Sequence, residues 1–312
     1  MTDLEPLTVT DDLGPVKVVH LAEGRTGLQA VVVVDNVAVG PAIGGTRMAP
    51  DVTVDVCRRL ARAMTLKNAL AGLRHGGAKS VIRADPAMDP AAKQSLVRAF
   101  AAAIADLTEY TPGPDMGTDE TAMAWILDEI GRAVGLPAEL GGLPLDQLGA
   151  TGYGLAAAAE VAGERLGLDL DGARVVVQGY GNVGRHAARF LADRGCALVG
   201  VADSRGAVAD PDGLDLDRLE ALKAEYRTVA ECPGVALDGE GLVGVDCDIW
   251  IPAAGPDVLR ADNVDRLAAR LVLQGANIPA TAAAEERMHE RGVVSVPDVV
   301  ANAGGVICAA VE

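Results

Sequence analysis

The stretch "ARVVVQGYGNVGRHAARFLADRG" constrains the fold of this chain more than any other. An apolar run, Arg174 to Gln178, leads directly into Gly179, Gly181 and Gly184, and a helical pattern follows from Asn182 to Arg194. This is G-x-G-x-x-G in the strand–turn–helix context that gives the motif its meaning. The glycines allow a tight turn, close approach to a pyrophosphate and close packing of helix on strand. The helix N-terminus, at Asn182 and Val183, stabilises phosphate charge. A second strand, "ALVGVAD", ends at Asp203, where a carboxylate can accept hydrogen bonds from an adenosine ribose. A carboxylate also repels a 2′-phosphate, so Asp203 favours NAD over NADP, and Arg205 nearby tempers that preference.

The segments around this motif predict its architecture. A long Ala-rich helix from Gly152 to about Leu166 precedes it, and "DIWIPAA", "LVLQGAN" and "VVSVPDVV" follow as short strands alternating with helices. That alternation is the signature of a doubly wound, Rossmann-type sheet. Upstream, "LQAVVVVDNVAVGPAIGGTR" predicts two strands and then a glycine turn. A helix from Val56, a glycine turn at "HGG" and a strand carrying Lys79 come next. "PAAKQSLVRAFAAAIADL" is a helix, and "EYTPGPDMGT" is a loop feeding another, with Thr118 as its N-cap and Asp119 and Glu120 in its first turn. The Gly/Pro-rich segment between places a boundary near Leu145. The expectation is an α/β protein of two domains, residues 1–145 and 146–312, with no internal repeat.

Composition narrows the function. The net charge of −17 argues against nucleic acid or an anionic membrane as partner. The five cysteines are scattered, odd in number and without metal-ligand spacing, as expected of reduced thiols in a cytoplasmic protein with no metal site. The acidic, polar N-terminus "MTDLEPLTVTDDLGP" is unlike a signal peptide. No uninterrupted apolar run reaches membrane-spanning length.

Lysine is scarce, at five of the 27 basic residues, yet two lysines fall within "LARAMTLKNALAGLRHGGAKSVIRAD". Val56, Leu60, Ala63, Met64, Lys67 and Leu70 lie on one helical stripe, which directs Lys67 inward. A buried ammonium is costly without a partner, so Lys67 either snorkels, meets a carboxylate or meets a ligand. Lys79 stands at the mouth of an apolar strand after two glycines. Near a second cation and away from water its pKa would fall, giving an amine able to trade protons near neutral pH. Asp115, in "GPDMGT", is by itself an ordinary turn or cap residue; beside two inward lysines it is a candidate proton shuttle. Ser/His/Asp, zinc and P-loop patterns are absent from the sequence, and His186 on the glycine-motif helix reads as structural.

Taken in order, "GPAIGGTRM", "AMTLKNALAGLRHGGAKSVI", "GPDMGT", "ATGYG", "VVVQGYGNVG", "DIWIPAA", "LQGAN" and "VPDVVANAGGV" resemble the glutamate/leucine/phenylalanine/valine dehydrogenases over nearly the whole chain. The resemblance implies reversible NAD(P)-dependent oxidative deamination of an L-amino acid to a 2-oxo acid and ammonia. It makes residues 1–145 the substrate domain and 146–312 the dinucleotide domain, with a cleft that closes between them, in a homo-oligomer. Lys67 would pair with the substrate α-carboxylate, beside Met64. Lys79 would be the catalytic amine that activates water, and Asp115 would exchange protons with the substrate nitrogen. Gly44 and Gly45 would let the substrate approach the backbone. Thr151, Ala253, Ala254, Asn277 and Asn302 would lie around the cofactor. Arginine could not replace Lys79, because it does not lose its proton.

The same resemblance bears on the substrate. Glutamate-specific members carry a lysine just before the "GG" of the first motif and a serine three residues after the valine of "AGGV". Here those positions are Ile43 and Ala309. A distal carboxylate buried against them would cost several kcal/mol, so an apolar substrate (Leu, Val, Ile or Phe) is expected. Glutamate is the alternative, since "GYGNVG" and "QGAN" are closer to glutamate dehydrogenases. Family members continue past "AGGV" with helices that this sequence lacks, which also admits a non-catalytic, dinucleotide-binding member.

Overall fold

The computed structural model describes residues 11–311, so the first ten residues of the acidic N-terminal segment lie outside the described residues. The chain divides into two compact units. One holds Leu145 and the described residues before it, together with the chain from Val306 on; the other is Asp146–Gly305.

The first unit is a five-stranded mixed sheet of order β1-β2-β4-β3-β5. Its strands are β1 (Lys17–Glu23), β2 (Leu28–Asn36), β3 (Ala42–Ala49), β4 (Gly76–Arg83) and β5 (Tyr110–Pro114). The helices are α1 (Val54–Leu70), α2 (Pro90–Ala103) and α3 (Glu120–Ile130). "LQAVVVVDN" is an unbroken apolar run because β2 is buried on both faces. Val32 and Val34 pack with Leu96, Phe100, Met123 and Ile126 of α2 and α3, while Val33 packs with Cys57 and Ala61 of α1. The expected two strands are present, and a further strand, β1, lies at the sheet edge. Its half-exposed pattern leaves only a weak hydrophobic signal in "KVVHLAE".

Four local expectations are corrected. The segment "YTPGP" of the expected loop forms β5, paired parallel to β3. The glycines of "GPAIGGTR" lie inside β3, paired to β4 on one side and β5 on the other, and form no turn. The glycines of "HGGA" open β4. Both pairs mark close backbone approach, the other use of glycine within a strand. A Cβ at Gly44 would lie 1.8 Å from the Ala78 carbonyl oxygen, and one at Gly77 would lie 2.1 Å from the Thr65 nitrogen. Asp119, not Thr118, caps α3, accepting from the Ala122 N–H at 2.9 Å.

After the short α4 (Leu145–Leu148) and the long α5 (Ala150–Leu166), the second unit builds a seven-stranded sheet of order β12-β11-β10-β6-β7-β8-β9. Its parallel core is β6 (Arg174–Gln178), β7 (Ala197–Asp203), β10 (Ile249–Pro252), β11 (Leu271–Leu273) and β12 (Val294–Val296). Two antiparallel strands, β8 (Gly206–Ala209) and β9 (Val235–Leu237), extend one edge. The remaining helices are α6 (Asn182–Ala192), α7 (Leu216–Tyr226), α8 (Ala282–Glu290), α9 (Asp298–Ala301) and α10 (Gly304–Ala309). The two-residue period of the strands separates two cores. Val175, Val177, Ile249, Ile251, Leu271 and Leu273 pack with α5 and α6, whereas Val176, Trp250 and Val272 pack with α8. Both faces are covered, as in a doubly wound sheet.

The expected second domain ran to residue 312, but the chain from Val306 on groups with the first unit. The reason is visible at Ala309, which packs against Ile43 and Val134. Among the described residues, no helix is long and apolar enough to cross a membrane.

Candidate active site

The β4-β3-β5 order brings three charged side chains together in the first unit. Lys79 sits in mid-β4, Arg47 near the end of β3, and Asp115 directly after β5. Lys79 Nζ forms an ion pair with Asp115 Oδ2, both side chains being less than one-tenth exposed. Arg47 Nη2 donates to Asp115 Oδ1 at 3.2 Å. Gly45 of β3 leaves the space between them: a Cβ there would lie 3.0 Å from Lys79 Nζ and 2.9 Å from Asp115 Cβ.

The loop holding Asp115 is fastened from two sides. Thr118 Oγ1 accepts from the Asp115 N–H at 3.0 Å and donates to the Thr46 carbonyl at 2.7 Å. The Asp115 carboxylate also accepts from the Met116 N–H. Burial alone would push this carboxyl up, but the Lys79 ammonium and Arg47 guanidinium outweigh it and hold the pKa at about 2. Arg47 has no assigned role in the sequence reading, although it lies in "GGTRM". The two-residue strand period, which sets Arg47 on the face of Gly45, is the signal that identifies it.

Lys67 and Met64 are buried on the α1 stripe, together with Cys57 and Ala61, which pack on Val33 and Val81. Lys79 and Val81 alternate onto the same face of β4. Gly77 is what lets α1 descend so close to that strand. Asn68 Nδ2, one residue beyond Lys67, donates to the Gly76 carbonyl at 2.6 Å and fixes the helix end there. Gly44 and Gly45 both have reasons internal to the protein, one toward the β4 backbone and the other toward the Lys79–Asp115 pair. Ile43, Val134 and Ala309 form a separate buried apolar cluster with Ala310 against it.

In the second unit the glycine turn lies where β6 adjoins β10, the point at which strand order reverses. Gly179 has φ +102° and no room for a side chain, since a Cβ would lie 2.5 Å from the Ala254 nitrogen. Gly184 packs α6 onto the turn, its Cβ position 2.0 Å from the Gly179 carbonyl oxygen. Among the described residues nothing lies within 4 Å of the Gly181 Cβ position, so its backbone and the α6 N-terminus at Asn182 and Val183 stay open to a phosphate. These three environments fit the dinucleotide reading. At neighbouring strand ends, the Ala253 N–H donates to the Gln178 carbonyl at 2.7 Å, and Asn302 Nδ2 reaches Asn277 Oδ1 at 3.3 Å and the Gly275 and Ala276 carbonyls at 3.2 Å. Among the described residues Asn302 Oδ1 is buried without a hydrogen-bond partner, an acceptor left over for a ligand donor such as an amide. Thr151 Oγ1 lies at the opening of α5, 2.6 Å from the Cβ position of Gly305. His186 Nδ1 contacts the Asn182 carbonyl of its own helix at 2.9 Å, a structural use of the ring.

Asp203 differs from the sequence expectation. Its carboxylate accepts from Lys223 Nζ, Thr228 Oγ1 and the N–H groups of Arg205 and Val229. Burial pushes this carboxyl up, but those donors, Lys223 first, outweigh it and hold it below the usual range. Among the described residues no disulfide forms, and burial pushes Cys57 up to about 12. Among the described residues, no three His, Cys, Asp or Glu side chains gather as a metal site would require.

Comparison with known proteins accords with this geometry. The family model for Glutamate/Leucine/Phenylalanine/Valine dehydrogenase matches residues 141–312, and that for the Glu/Leu/Phe/Val dehydrogenase dimerisation domain matches 16–132. The glutamate dehydrogenase of Aeropyrum pernix is 40% identical over 291 residues, covering 89% of this chain and 69% of that protein. The NADP(+)-dependent glutamate dehydrogenase of Pyrobaculum calidifontis is 40% identical over 296 residues, covering 89% of this chain and 70% of its own. Other relatives are named NADP-specific or NAD-specific. The Leu-bound crystal structure of the hetero-hexameric glutamate dehydrogenase from Thermus thermophilus superposes with a TM-score of 0.87 at 33% identity, covering 95% of this chain and 75% of that one. The chain therefore belongs to the glutamate/leucine/phenylalanine/valine dehydrogenase family, whose members are NAD(P)-dependent amino acid dehydrogenases.

Proposed function

We propose that this chain catalyses the reversible oxidative deamination of an L-amino acid with an apolar side chain, giving a 2-oxo acid and ammonia. The observation that carries the reading is the buried Lys79–Asp115 pair, held by Arg47 on the sheet face that α1 covers. Lys67 pairs with the substrate α-carboxylate, with Met64 beside it. Asp115 takes a proton from the substrate nitrogen. Lys79, once its ammonium has given its proton to solvent, takes a proton from the water that adds to the imine carbon. Asp115 then returns its proton to the nitrogen and takes that of the new hydroxyl as the C–N bond breaks, giving the carbonyl and ammonia. Because the two side chains are already in contact, a proton passes between them without crossing solvent.

The nicotinamide, when bound, accepts the hydride from Cα. Gly179, Gly181, Asn182, Val183 and Gly184 would hold its pyrophosphate, and Thr151, Ala253, Ala254, Asn277 and Asn302 would line the rest of its path. The second unit is thus the dinucleotide domain and the first the substrate domain, with the last residues from Val306 returning to it. The cluster of Ile43, Val134 and Ala309 supports an apolar substrate, since it offers no cation to a distal carboxylate. The names of the relatives support the second reading, glutamate. The enzyme works as a homo-oligomer in the cytoplasm, where its cysteines stay reduced.

The test is reduced-cofactor formation with Leu, Val, Ile, Phe and Glu, each with NAD and with NADP. Turnover on an apolar amino acid ahead of glutamate supports the reading. Preference for glutamate overturns the substrate assignment. No turnover on any of the five, with dinucleotide binding intact, overturns the catalytic one and leaves a dinucleotide-binding member.

A further inference from the structure

An ionised carboxylate offers about four acceptor positions, and in Asp203 all are engaged by the protein itself. Oδ1 accepts from the Arg205 N–H at 2.9 Å and Thr228 Oγ1 at 3.1 Å. Oδ2 accepts from Lys223 Nζ at 2.8 Å and the Val229 N–H at 2.8 Å. The side chain is only 7% exposed. To accept both hydroxyls of an adenosine ribose, Asp203 would have to break bonds it already makes.

The lock is built into α7, on residues three apart. Asp217 accepts from Arg189 of α6 at 2.8 Å, Glu220 accepts from the hydroxyl of Tyr180 in the glycine turn at 2.9 Å, and Lys223 donates to Asp203. One helix therefore fixes the motif helix, the motif turn and the acid at the end of β7. Ser204 and Arg205, directly after Asp203, are exposed. Arg205 Nη1 donates to the Tyr226 carbonyl at 3.1 Å, which keeps its guanidinium at this corner. Lys223 balances the charge of Asp203, and Arg205 adds a cation beside the pair.

We propose that this corner admits a 2′-phosphate, so that the chain binds NADP as readily as NAD, with Lys223 as the positioning residue that sets this selectivity by neutralising Asp203. The proposal rests on the glycine turn being the dinucleotide site. Removing the Lys223 charge frees the carboxylate to repel a phosphate, whereas arginine preserves the balance.

The test is calorimetric titration of the full chain with NAD+ and with NADP+ at one ionic strength. The wild type should bind the two with dissociation constants within about tenfold, and Lys223→Met should weaken NADP+ relative to NAD+ by a further factor of about ten or more. Lys223→Arg should keep the wild-type ratio. A wild type that binds NAD+ and rejects NADP+ overturns this proposal alone, as does a folded Lys223→Met chain with an unchanged ratio. If Lys223→Met does not fold, the wild-type ratio decides. Failure to bind either dinucleotide overturns the glycine-turn reading and this proposal with it.

Discussion

Lys79 in β4 and Asp115, in the loop directly after β5, meet across a third strand. Strand β3 runs between β4 and the end of β5, and it is Gly45 that leaves the gap through which the two side chains touch. The pair depends as much on what Gly45 lacks as on its own chemistry.

Gly45→Ala should therefore impair catalysis with both charged residues intact. The added methyl would lie within 3.0 Å of both partners, so one must move. Displacement on the order of 1 Å costs about 100-fold in kcat. Steady-state kinetics with a circular dichroism spectrum as fold control checks this, and an unchanged kcat would refute it.

Lys67→Ala should raise KM for the amino acid far more than it lowers kcat. Losing a hydrogen bond to a charged group costs about 1.5–3 kcal/mol, or roughly 10- to 150-fold. Dinucleotide affinity should not change, because that site belongs to the second unit.

The acid limb of stability follows from Asp115. Its folded pKa of about 2 lies below the ordinary 3.8, so the carboxylate stabilises the fold above pH 3.8 and that contribution is lost as pH falls toward 2. In Asp115→Asn the contribution is missing throughout. The stability gap between wild type and variant should narrow by about 2 kcal/mol between pH 6 and pH 2, read from urea midpoints. A constant gap would contradict the ion pair.

The apolar cluster predicts a specificity change. Ile43→Lys combined with Ala309→Ser should shift the glutamate-to-leucine ratio of kcat/KM toward glutamate by about 100-fold or more. No shift would remove Ile43 and Ala309 from the substrate pocket.

The dinucleotide half was legible because its signals are local. Strand, turn and helix follow one another in "RVVVQGYGNVGRHAARF", and β6, β7 and the start of α6 are found where the periodicity predicts them. The first unit was legible in its residues and in β2, β3 and β4, but not in β1 and β5 or in the use of its glycines. Glycine in "AIGGTRM" and "HGGAKS" suggests turns, whereas here it serves close packing of β3, β4 and α1, a tertiary demand with no local trace. Arg47 was missed for the same reason, since its partner is 68 residues away. Asp203 was read as a free acid because Lys223 and Thr228 reach it from 20 and 25 residues on.

The most direct measurement is reduced-cofactor formation by Lys79→Ala beside the wild type, with dinucleotide binding titrated in both. The account predicts turnover lower by about 10²- to 10⁴-fold in the variant, the range supplied by a positioned acid–base group, with dinucleotide affinity unchanged. Near-normal turnover in a folded Lys79→Ala chain would contradict it.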